Sequence, residues 1–205
     1  MRAVGEVSNV TSMTVRPSAS AVRPVGDRAA ERLEAGSVSA DDFKAVFRGH
    51  PGGVAVITAY GEDGPVALTA SSVSSVSVDP PLLIFSVSTQ SSSTPAITAA
   101  STIVVHLLDA EDIGIARLGA TSGIDRFADP SSWARLSTGE PVYAGARAWV
   151  RCAIVSRMDA GGSTVIAAHA LQANIERDVE PGAPGNALVY HNRRWHRLTE
   201  HSLLD

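Results

Sequence analysis

Apolar and polar residues alternate over much of this chain, a pattern that predicts strands more often than helices. VAVITAY (54–60), TIVVHLL (102–108) and ARAWVRCAIVSRMD (146–159) all fit strands. LLIFSVS (82–88) is a short, continuous apolar run, which predicts a strand buried on both faces. ALVYHNRRWHRL (187–198) predicts the last β segment of the domain.

Two turn sequences predict long hairpins. GEDG (61–64) leads into a segment beginning PVALTA, and AGGS (160–163) leads into TVIAAHALQANIE (164–176). Alternate residues of this last strand form its predicted core face: Val165, Ala167, His169, Leu171 and Ala173. On that face we expect His169 to be a hydrogen-bonded core histidine rather than a ligand.

Helical periodicity is confined to a few short segments. Ser39 is a predicted N-cap, and Phe43, Val46 and Phe47 share one face of the helix that follows. TPAITAAS (94–101) and DAEDIGIARLGA (109–120) predict two more helices. Many strands, long hairpins and few helices together favour a small β-barrel with helical insertions.

The domain limits follow from the same patterning. Residues 1–36 contain prolines and small residues without a periodic apolar face, which is typical of a disordered N-terminal extension. We therefore predict one domain over residues 37–200 and a short C-terminal tail over 201–205.

Serine clusters are the most unusual local feature. LTASSVSSVSVDPP (68–81) and SVSTQSSSTP (86–95) each contain five serines, and both adjoin predicted strands. Small hydroxyl side chains let a backbone approach a flat ligand, and their O–H and N–H groups can hold a phosphate. Ordinary turn and capping chemistry is the alternative. In the first cluster Leu68, Ala70, Val76 and Val78 predict one continuous strand that stops at the prolines.

Composition and motifs exclude several other functions. The net charge of −4 gives no reason to expect nucleic acid or an anionic membrane as a partner, and no apolar run is long enough to span a bilayer. The chain lacks the G-x-G-x-x-G, P-loop, G-x-S-x-G, H-E-x-x-H and C-x-x-C motifs, which argues against those nucleotide, hydrolase and metal sites. A single cysteine, Cys152, indicates a reduced, cytoplasmic setting.

Five segments, taken in order, resemble the short-chain flavin reductases. They are HPGGVAVIT (50–58), GPVALTASSVSSVSVDPPLLIFSV (64–87), SSSTP (91–95), DRFAD (125–129) and LVYHNRRWHRL (188–198). VVHLL (104–108) and WARLSTGEPV (133–142) are similar to stretches of the NADH:FMN oxidoreductases of desulfurisation operons. The resemblance covers most of the chain, roughly residues 40–198.

The resemblance implies a mainly β, Greek-key split barrel with a few short helices that binds FMN as a homodimer. It further implies NAD(P)H-dependent reduction of FMN, FAD or riboflavin, with reduced flavin supplied to a partner monooxygenase. No catalytic side chain and no metal are implied, because the cofactors carry the hydride chemistry.

The resemblance also implies a cofactor-binding set. The isoalloxazine ring would lie along Pro65, Val66, Leu68, Thr69, Ala70, Ser71 and Ser72, with Thr69 and Ser72 offering hydrogen bonds to its edge. The ribityl chain and phosphate would contact Ser86, Val87, Ser88, Thr89, Ser91 and Ser92, with Arg117 near the phosphate. Asp125, Arg126 and Phe127 would pack beside the flavin, and Tyr190, His191 and Asn192 would lie near the nicotinamide.

Some positions depart from the family pattern, and two other functions stay open. His106 stands where the family often has Asn, and GGST (161–164) lacks a histidine that some members place near the nicotinamide. A flavin- or haem-binding split-barrel protein without reductase activity is one alternative, because fold does not fix function. A pyridoxamine-phosphate-oxidase-like enzyme is the other, although Lys44 is the only lysine available for a phosphate site.

Overall fold

The computed structural model describes residues 36–180, 182–183 and 185–204. The chain forms two compact units, one ending at Asp42 and the other comprising Phe43–Asp205. Helix α1 spans Ala40–Arg48, and the Ser39 hydroxyl accepts the Asp42 N–H at 3.0 Å, which confirms the predicted N-cap. The predicted extension over 1–36 lies outside the described residues except for Gly36.

Strands dominate the described part of the second unit, with few and short helices. The strands are β1 (Gly52–Gly53), β2 (Ala55–Gly61), β3 (Gly64–Ala70), β4 (Ser74–Val78), β5 (Pro81–Ser88), β6 (Thr102–Leu107), β7 (Trp133–Arg135), β8 (Pro141–Tyr143), β9 (Ala148–Ala160), β10 (Ser163–Ile175), β11 (Leu188–His191) and β12 (Arg194–Arg197). The helices are α2 (Thr94–Ala99) and α3 (Ile113–Ala120), with 3₁₀ turns at Ala110–Asp112 and Glu200–Ser202. The two short helices predicted after β5 and β6 are thereby confirmed.

The main sheet is antiparallel and curls into a split barrel. Its seven strands run in the order β3-β2-β6-β9-β10-β5-β4. If the sheet were flat, strands about 4.8 Å apart would place β3 and β4 about 29 Å from each other. Yet only residues 71–73 connect these two strands, a span of at most about 15 Å. The sheet must therefore bend until its two edges approach, which gives the mainly β, split-barrel class that we predicted.

Ser72, in the connection between the two edge strands, bonds to strand β5. Its hydroxyl oxygen accepts the Ser86 N–H at 3.0 Å and lies 3.2 Å from the Ser86 carbonyl oxygen, to which it can donate. The core inside the barrel contains buried residues from strands β2, β3, β5, β6, β9 and β10, among them Ile57, Leu68, Phe85, Ile103 and Ile166. A second cluster, which includes Val56, Ala116, Phe127 and Tyr143, packs beneath α3.

A smaller sheet lies beside the barrel. It has the order β1-β11-β12, and β11 and β12 form a hairpin with Asn192 and Arg193 at its turn. These two residues have φ of 47° and 61°, the left-handed values that a two-residue type I′ turn requires. The predicted final β segment is thus a hairpin.

The continuous strand predicted through the first serine cluster is wrong. Residues 71–73 break it into β3 and β4, and β4 is an edge strand on which Val76 and Val78 are 57% and 88% exposed. The apolar alternation was correct for Leu68 and Ala70, which are buried. It failed beyond Ala70 because the chain crosses there from one edge of the curled sheet to the other.

The predicted core face of β10 is also wrong. Ile166 and Ala168 are buried, whereas Val165, Ala167 and His169 are half-buried and Leu171 is 47% exposed. Apolar residues occupy both faces of this strand, so alternation alone did not identify the inner one. Two register shifts against β9, at 167/168 and 170/172, further disturb the alternation.

Strand β5 lies where it was predicted, but it is not fully buried on both faces as the prediction stated. Phe85 and Val87 are buried in the barrel core. Ile84 and Ser86, on the opposite face, are half-buried. That second face is the one that leads to the serine-lined groove.

None of the helices in the described residues is long and apolar enough to cross a membrane.

Candidate functional site

A groove of about 740 Å³ opens where the ends of β3 and β5 meet the C-terminal end of α3. This volume is within the range of small-molecule sites. The groove brings together eleven residues of the predicted cofactor-binding set: Leu68, Thr69, Ala70, Ser71, Ser72, Ser86, Val87, Ser88, Ser91, Ser92 and Arg126. The two serine clusters, separate in sequence, therefore line one surface.

Sequence reasoning missed six further lining residues. They are Gln90, Gly119, Ala120, Ser122, Gly123 and Ser163. Gly119, the penultimate residue of α3, could have been singled out from the sequence, because glycine within a helix costs about 1 kcal/mol relative to alanine. Here a Cβ atom on Gly119 would lie 2.5 Å from the Thr69 hydroxyl oxygen, so only glycine lets α3 approach β3 this closely.

Several hydroxyl groups of the serine clusters hold the walls of the groove. The Thr69 hydroxyl donates to the Ala116 carbonyl oxygen at 2.7 Å, which ties β3 to α3. The buried Ser93 hydroxyl donates to the Ala67 carbonyl oxygen at 2.8 Å, and Thr94 donates to the Ser88 carbonyl oxygen at 2.6 Å. The hydroxyl protons of Thr69 and Ser72 are therefore engaged within the protein, although we predicted them as donors to a ligand.

Ser91 and Ser92 are placed differently. The Ser91 hydroxyl oxygen accepts a long 3.4 Å bond from the Ser93 N–H, which leaves its proton available. The Ser92 side chain makes no hydrogen bond to any described residue, and both serines line the groove. Two donor hydroxyl groups thus face the end of the groove that lies nearest Arg126.

Arg126 is the charged residue among those that line the groove. One terminal nitrogen of its guanidinium lies 3.3 Å from the Ser93 hydroxyl oxygen, and the other donates to the Thr121 carbonyl oxygen at 2.7 Å. Its Nε atom is buried and has no hydrogen-bond partner among the described residues. A buried donor without a partner is costly, and the side chain would have to shift for an acceptor in the groove to reach this atom.

Aromatic packing fixes the position of Arg126. Phe127 stacks on Tyr143 with ring centroids 5.2 Å apart, and the Tyr143 hydroxyl donates to the Arg126 carbonyl oxygen at 3.0 Å. Trp133 donates its indole N–H to the Phe127 carbonyl oxygen at 3.1 Å. Burial raises the pKa of Tyr143 above its ordinary value, which keeps its hydroxyl protonated as a donor.

Nine residues of the predicted set do not line this groove, and six of them lie on the barrel, on α3 or on the loop that follows it. Arg117 is exposed on α3, and Phe127 is buried in the cluster beneath that helix. The Asp125 carboxylate accepts the Phe127 N–H at 2.9 Å and so shapes the loop. Thr89 bonds to the Gly162 carbonyl oxygen at 3.0 Å through its hydroxyl, which anchors the β9–β10 turn. Pro65 and Val66 lie earlier on β3, and Val66 packs against the barrel core.

The remaining three predicted residues lie on the β11–β12 hairpin. Tyr190 and Trp195 face a small pocket of about 180 Å³ that shares Thr69, Ala70, Ser71 and Ala120 with the groove. Tyr190, His191 and Asn192 also line a neighbouring hollow of about 350 Å³. These residues are therefore beside the groove and continuous with it.

The chain offers no competing metal centre in the part that the structure describes, where no group of three or more His, Cys, Asp or Glu side chains could hold an ion. Cys152 is buried in the barrel core, and burial raises its thiol pKa to about 12, so it is an unreactive core residue.

A curled antiparallel barrel whose serine-lined groove includes a half-buried arginine is suited to a planar ligand that carries a phosphate. Residues 47–199 match the flavin reductase like domain, so this chain belongs to the flavin reductase family.

Relatives and solved structures agree with this assignment. The chain is 40% identical over 162 residues to the NADH:FMN oxidoreductase of Rhodococcus erythropolis, covering 79% of this chain and 83% of that protein. A flavin reductase domain protein from Arthrobacter has a similar structure, with a TM-score of 0.72 and 28% identity over 80% of this chain and 97% of its own. The flavin reductase component of a bacterial two-component tryptophan halogenase aligns with a TM-score of 0.67 and 30% identity, covering 79% and 99%.

Proposed function

We propose that this chain is an NAD(P)H:flavin oxidoreductase that prefers FMN and also accepts FAD or riboflavin. The observation that carries the proposal is the serine-lined groove, which ends at Ser91, Ser92 and Arg126 and includes no carboxylate among its lining residues in the described part of the chain. Such a groove suits a planar ligand with an anionic phosphate.

Each wall of the groove has a proposed role. The isoalloxazine ring lies along Leu68–Ser72, where small side chains permit contact with the main chain. Pro65 and Val66 position that strand through its earlier part. Ser86, Val87 and Ser88 contact the ribityl chain, and Thr89 supports them through the β9–β10 turn. Ser91 and Ser92 donate to the phosphate.

Arg126 rather than Arg117 is the proposed partner of the phosphate. Arg126 lines the groove and has an unsatisfied Nε–H, whereas Arg117 is exposed outside it. Asp125 and Phe127 act through the loop: Asp125 accepts the Phe127 N–H, and Phe127 stacks on the tyrosine that holds the Arg126 carbonyl group.

When bound, the nicotinamide C4 carbon supplies a hydride to the flavin N5 atom. The protein contributes orientation, because hydride transfer requires reacting atoms about 3–3.5 Å apart. The small pocket beside Thr69, Ala70 and Ser71 gives the nicotinamide access to the ring position proposed above. Tyr190 and Trp195, whose ring centroids are 4.9 Å apart, form its far wall.

We place this reductase in a two-component system in which reduced flavin passes to a partner monooxygenase. The solved reductase component of a two-component halogenase, to which the chain is similar, supports this role.

We also propose a homodimer and a cytoplasmic location. Half-exposed apolar side chains on the long β9–β10 hairpin (Val155, Met158 and Leu171) would be covered in a dimer. The domain is proposed to extend over 37–200, with 1–36 as an extension and 201–205 as a tail.

The proposal is tested by following NADH and NADPH oxidation with and without FMN. A flavin reductase consumes the nicotinamide at a rate that depends on added FMN. A flavin- or haem-binding protein without reductase activity would bind its ligand and leave the nicotinamide unoxidised. Oxidation of pyridoxamine phosphate in place of NAD(P)H would favour the pyridoxamine-phosphate-oxidase-like alternative.

A further inference from the structure

The two-stranded β7–β8 sheet is bonded to the loop that carries Arg126. Trp133 on β7 and Tyr143 on β8 are partners across this sheet. The Tyr143 hydroxyl donates to the Arg126 carbonyl oxygen at 3.0 Å, and the Trp133 indole N–H donates to the carbonyl oxygen of the next residue, Phe127, at 3.1 Å. One cross-strand pair of aromatic side chains therefore holds two successive carbonyl groups of the loop.

The Phe127 ring is packed against the same two aromatic side chains. It stacks on Tyr143 with an angle of 9° between the rings, and it meets Trp133 edge to face with centroids 5.1 Å apart. Phe127 and Tyr143 are both buried. Aromatic pairs in these geometries are stabilising, so packing and hydrogen bonds fix the same part of the loop.

Strand β8 is in turn fastened to the main sheet by two buried polar side chains. The Thr58 hydroxyl on β2 donates to the Pro141 carbonyl oxygen. The buried His106 ring on β6 accepts the Tyr143 N–H at its Nε2 atom and donates from Nδ1 to the Val56 carbonyl oxygen. Because buried polar groups are costly without partners, these bonds fix β8 to the barrel.

The guanidinium of Arg126 is held at both terminal nitrogens and still has donors to spare. One nitrogen lies 3.3 Å from the Ser93 hydroxyl oxygen, and the other donates to the Thr121 carbonyl oxygen at 2.7 Å. Each terminal nitrogen has two N–H groups, so within the described part of the chain one N–H on each remains for a phosphate oxygen. Arg126 is therefore preorganised for an anion as long as its backbone stays in place.

We propose that Tyr143 is a positioning residue for flavin binding, whose hydroxyl group keeps Arg126 in place to contact the phosphate. Tyr143 is not among the residues that line the serine-lined groove, so it acts through the Arg126 carbonyl group and not on the ligand. Thr58 and His106 support this role because they fix β8 to the barrel. The assignment rests on the proposed function, since it assumes that Arg126 pairs with the flavin phosphate.

Tyr143→Phe tests the proposal, because it keeps the ring that stacks on Phe127 and removes only the hydroxyl group. We expect the KM for FMN to rise about 5-fold, the loss expected for one hydrogen bond, with kcat within about 2-fold. The KM for riboflavin, which lacks the phosphate, should stay within about 2-fold. The dissociation constants of the two flavins, measured by flavin fluorescence without a nicotinamide, should show the same difference.

Tyr60→Phe is the matched control. Tyr60 is 42% exposed on β2, packs its ring against Arg135 and is not among the residues that line the groove. This variant should leave the binding of both flavins unchanged. A merely structural role for the Tyr143 hydroxyl would weaken FMN and riboflavin equally or affect neither, and either result would overturn the proposal.

A double substitution tests whether Tyr143 acts through Arg126. In Arg126→Gln, the further change Tyr143→Phe should alter the KM for FMN less than about 2-fold, because the arginine that the hydroxyl positions is already lost. A further 5-fold rise would show that the two residues act independently and would overturn the proposal.

The same measurements separate this proposal from the proposed function. If the unmodified protein binds FMN but oxidises no nicotinamide with it, the reductase function fails, and the two dissociation constants still decide the role of Tyr143. If Arg126→Gln binds FMN as well as the unmodified protein does, the positioning role fails, while NADH oxidation with FMN still supports the reductase. No binding of FMN to the unmodified protein would overturn both.

Discussion

Single side chains in this protein divide into those that build the groove and those left available to a ligand. Thr69, Ser72 and Ser93 use their hydroxyl groups on backbone atoms of neighbouring elements. Ser91, Ser92 and Arg126 retain unused donors beside the groove. The sequence shows the density of serines but not this division, because it depends on which backbone carbonyl group each hydroxyl meets after the sheet has curled.

Arg126→Gln tests the proposed phosphate contact. We expect the KM for FMN to rise at least about 10-fold, because a charge-assisted bond to a phosphate is lost. Riboflavin, which lacks the phosphate, serves as the internal control and should change less than about 3-fold. Equal effects on both flavins would contradict the contact, and the same pattern in Arg117→Gln alone would restore the phosphate role predicted from the resemblance.

His106 makes the stability of this protein depend on pH. It is fully buried, and its Nε2 atom accepts the Tyr143 N–H at 3.0 Å, which leaves Nδ1 to donate to the Val56 carbonyl oxygen at 3.0 Å. The neutral ring therefore satisfies both bonds. Burial lowers its pKa to about 4, and the bond to the Val56 carbonyl oxygen opposes the shift without cancelling it.

The sign of the pH dependence follows from this shift. Between pH about 6.5 and about 4 the unfolded chain binds a proton at this position and the folded chain does not, so the free energy of unfolding falls as the pH falls. The loss attributable to His106 is about 3 kcal/mol. In His106→Asn, which cannot titrate, chemical denaturation at several pH values should show this part of the slope removed. Parallel slopes in the two proteins would contradict the assignment.

At the scale of elements, the hydrophobic pattern predicted the positions of strands and helices more accurately than the faces that these elements bury. The predicted strands at β2, β5, β6 and β9 and the predicted helices α1 to α3 are present. The errors fall on β4 and β10, where an edge position and two register shifts decide burial. Neither is a local property of the sequence, since each depends on the neighbouring strand.

The close approach of α3 to β3 provides a prediction at the same scale. Gly119→Ala would place a Cβ atom 2.5 Å from the Thr69 hydroxyl oxygen and 3.3 Å from the Thr69 nitrogen, so the helix must shift. We expect a loss of about 1–3 kcal/mol in the free energy of unfolding, measured by chemical denaturation.

Gly114→Ala is the matched control on the same helix, because a Cβ atom there meets nothing within 4 Å. It should be neutral or stabilising by up to about 1 kcal/mol, as expected for alanine in a helix. Equal destabilisation by both substitutions would contradict the contact with β3 as the reason for glycine at position 119.

At the scale of the whole molecule, the curling of the sheet creates the functional surface. Segments 68–72 and 86–92 become neighbours because β3 and β5 approach across the open side of the barrel. The family resemblance anticipated this joint surface, and the structure identified lining residues that no motif marked, among them Gly119 and Ala120 of α3 and Ser122 and Gly123 of the loop that follows. The small pocket lies beside the serine-lined groove, with which it shares Thr69, Ala70, Ser71 and Ala120.

The central claim is that the serine-lined groove is where flavin binds, and a crystal structure of the full chain with FMN tests it most directly. We predict the isoalloxazine ring along Leu68–Ser72 and the phosphate within hydrogen-bonding distance of Ser91, Ser92 and Arg126. FMN bound elsewhere, with the groove between β3 and β5 left empty, would contradict the claim.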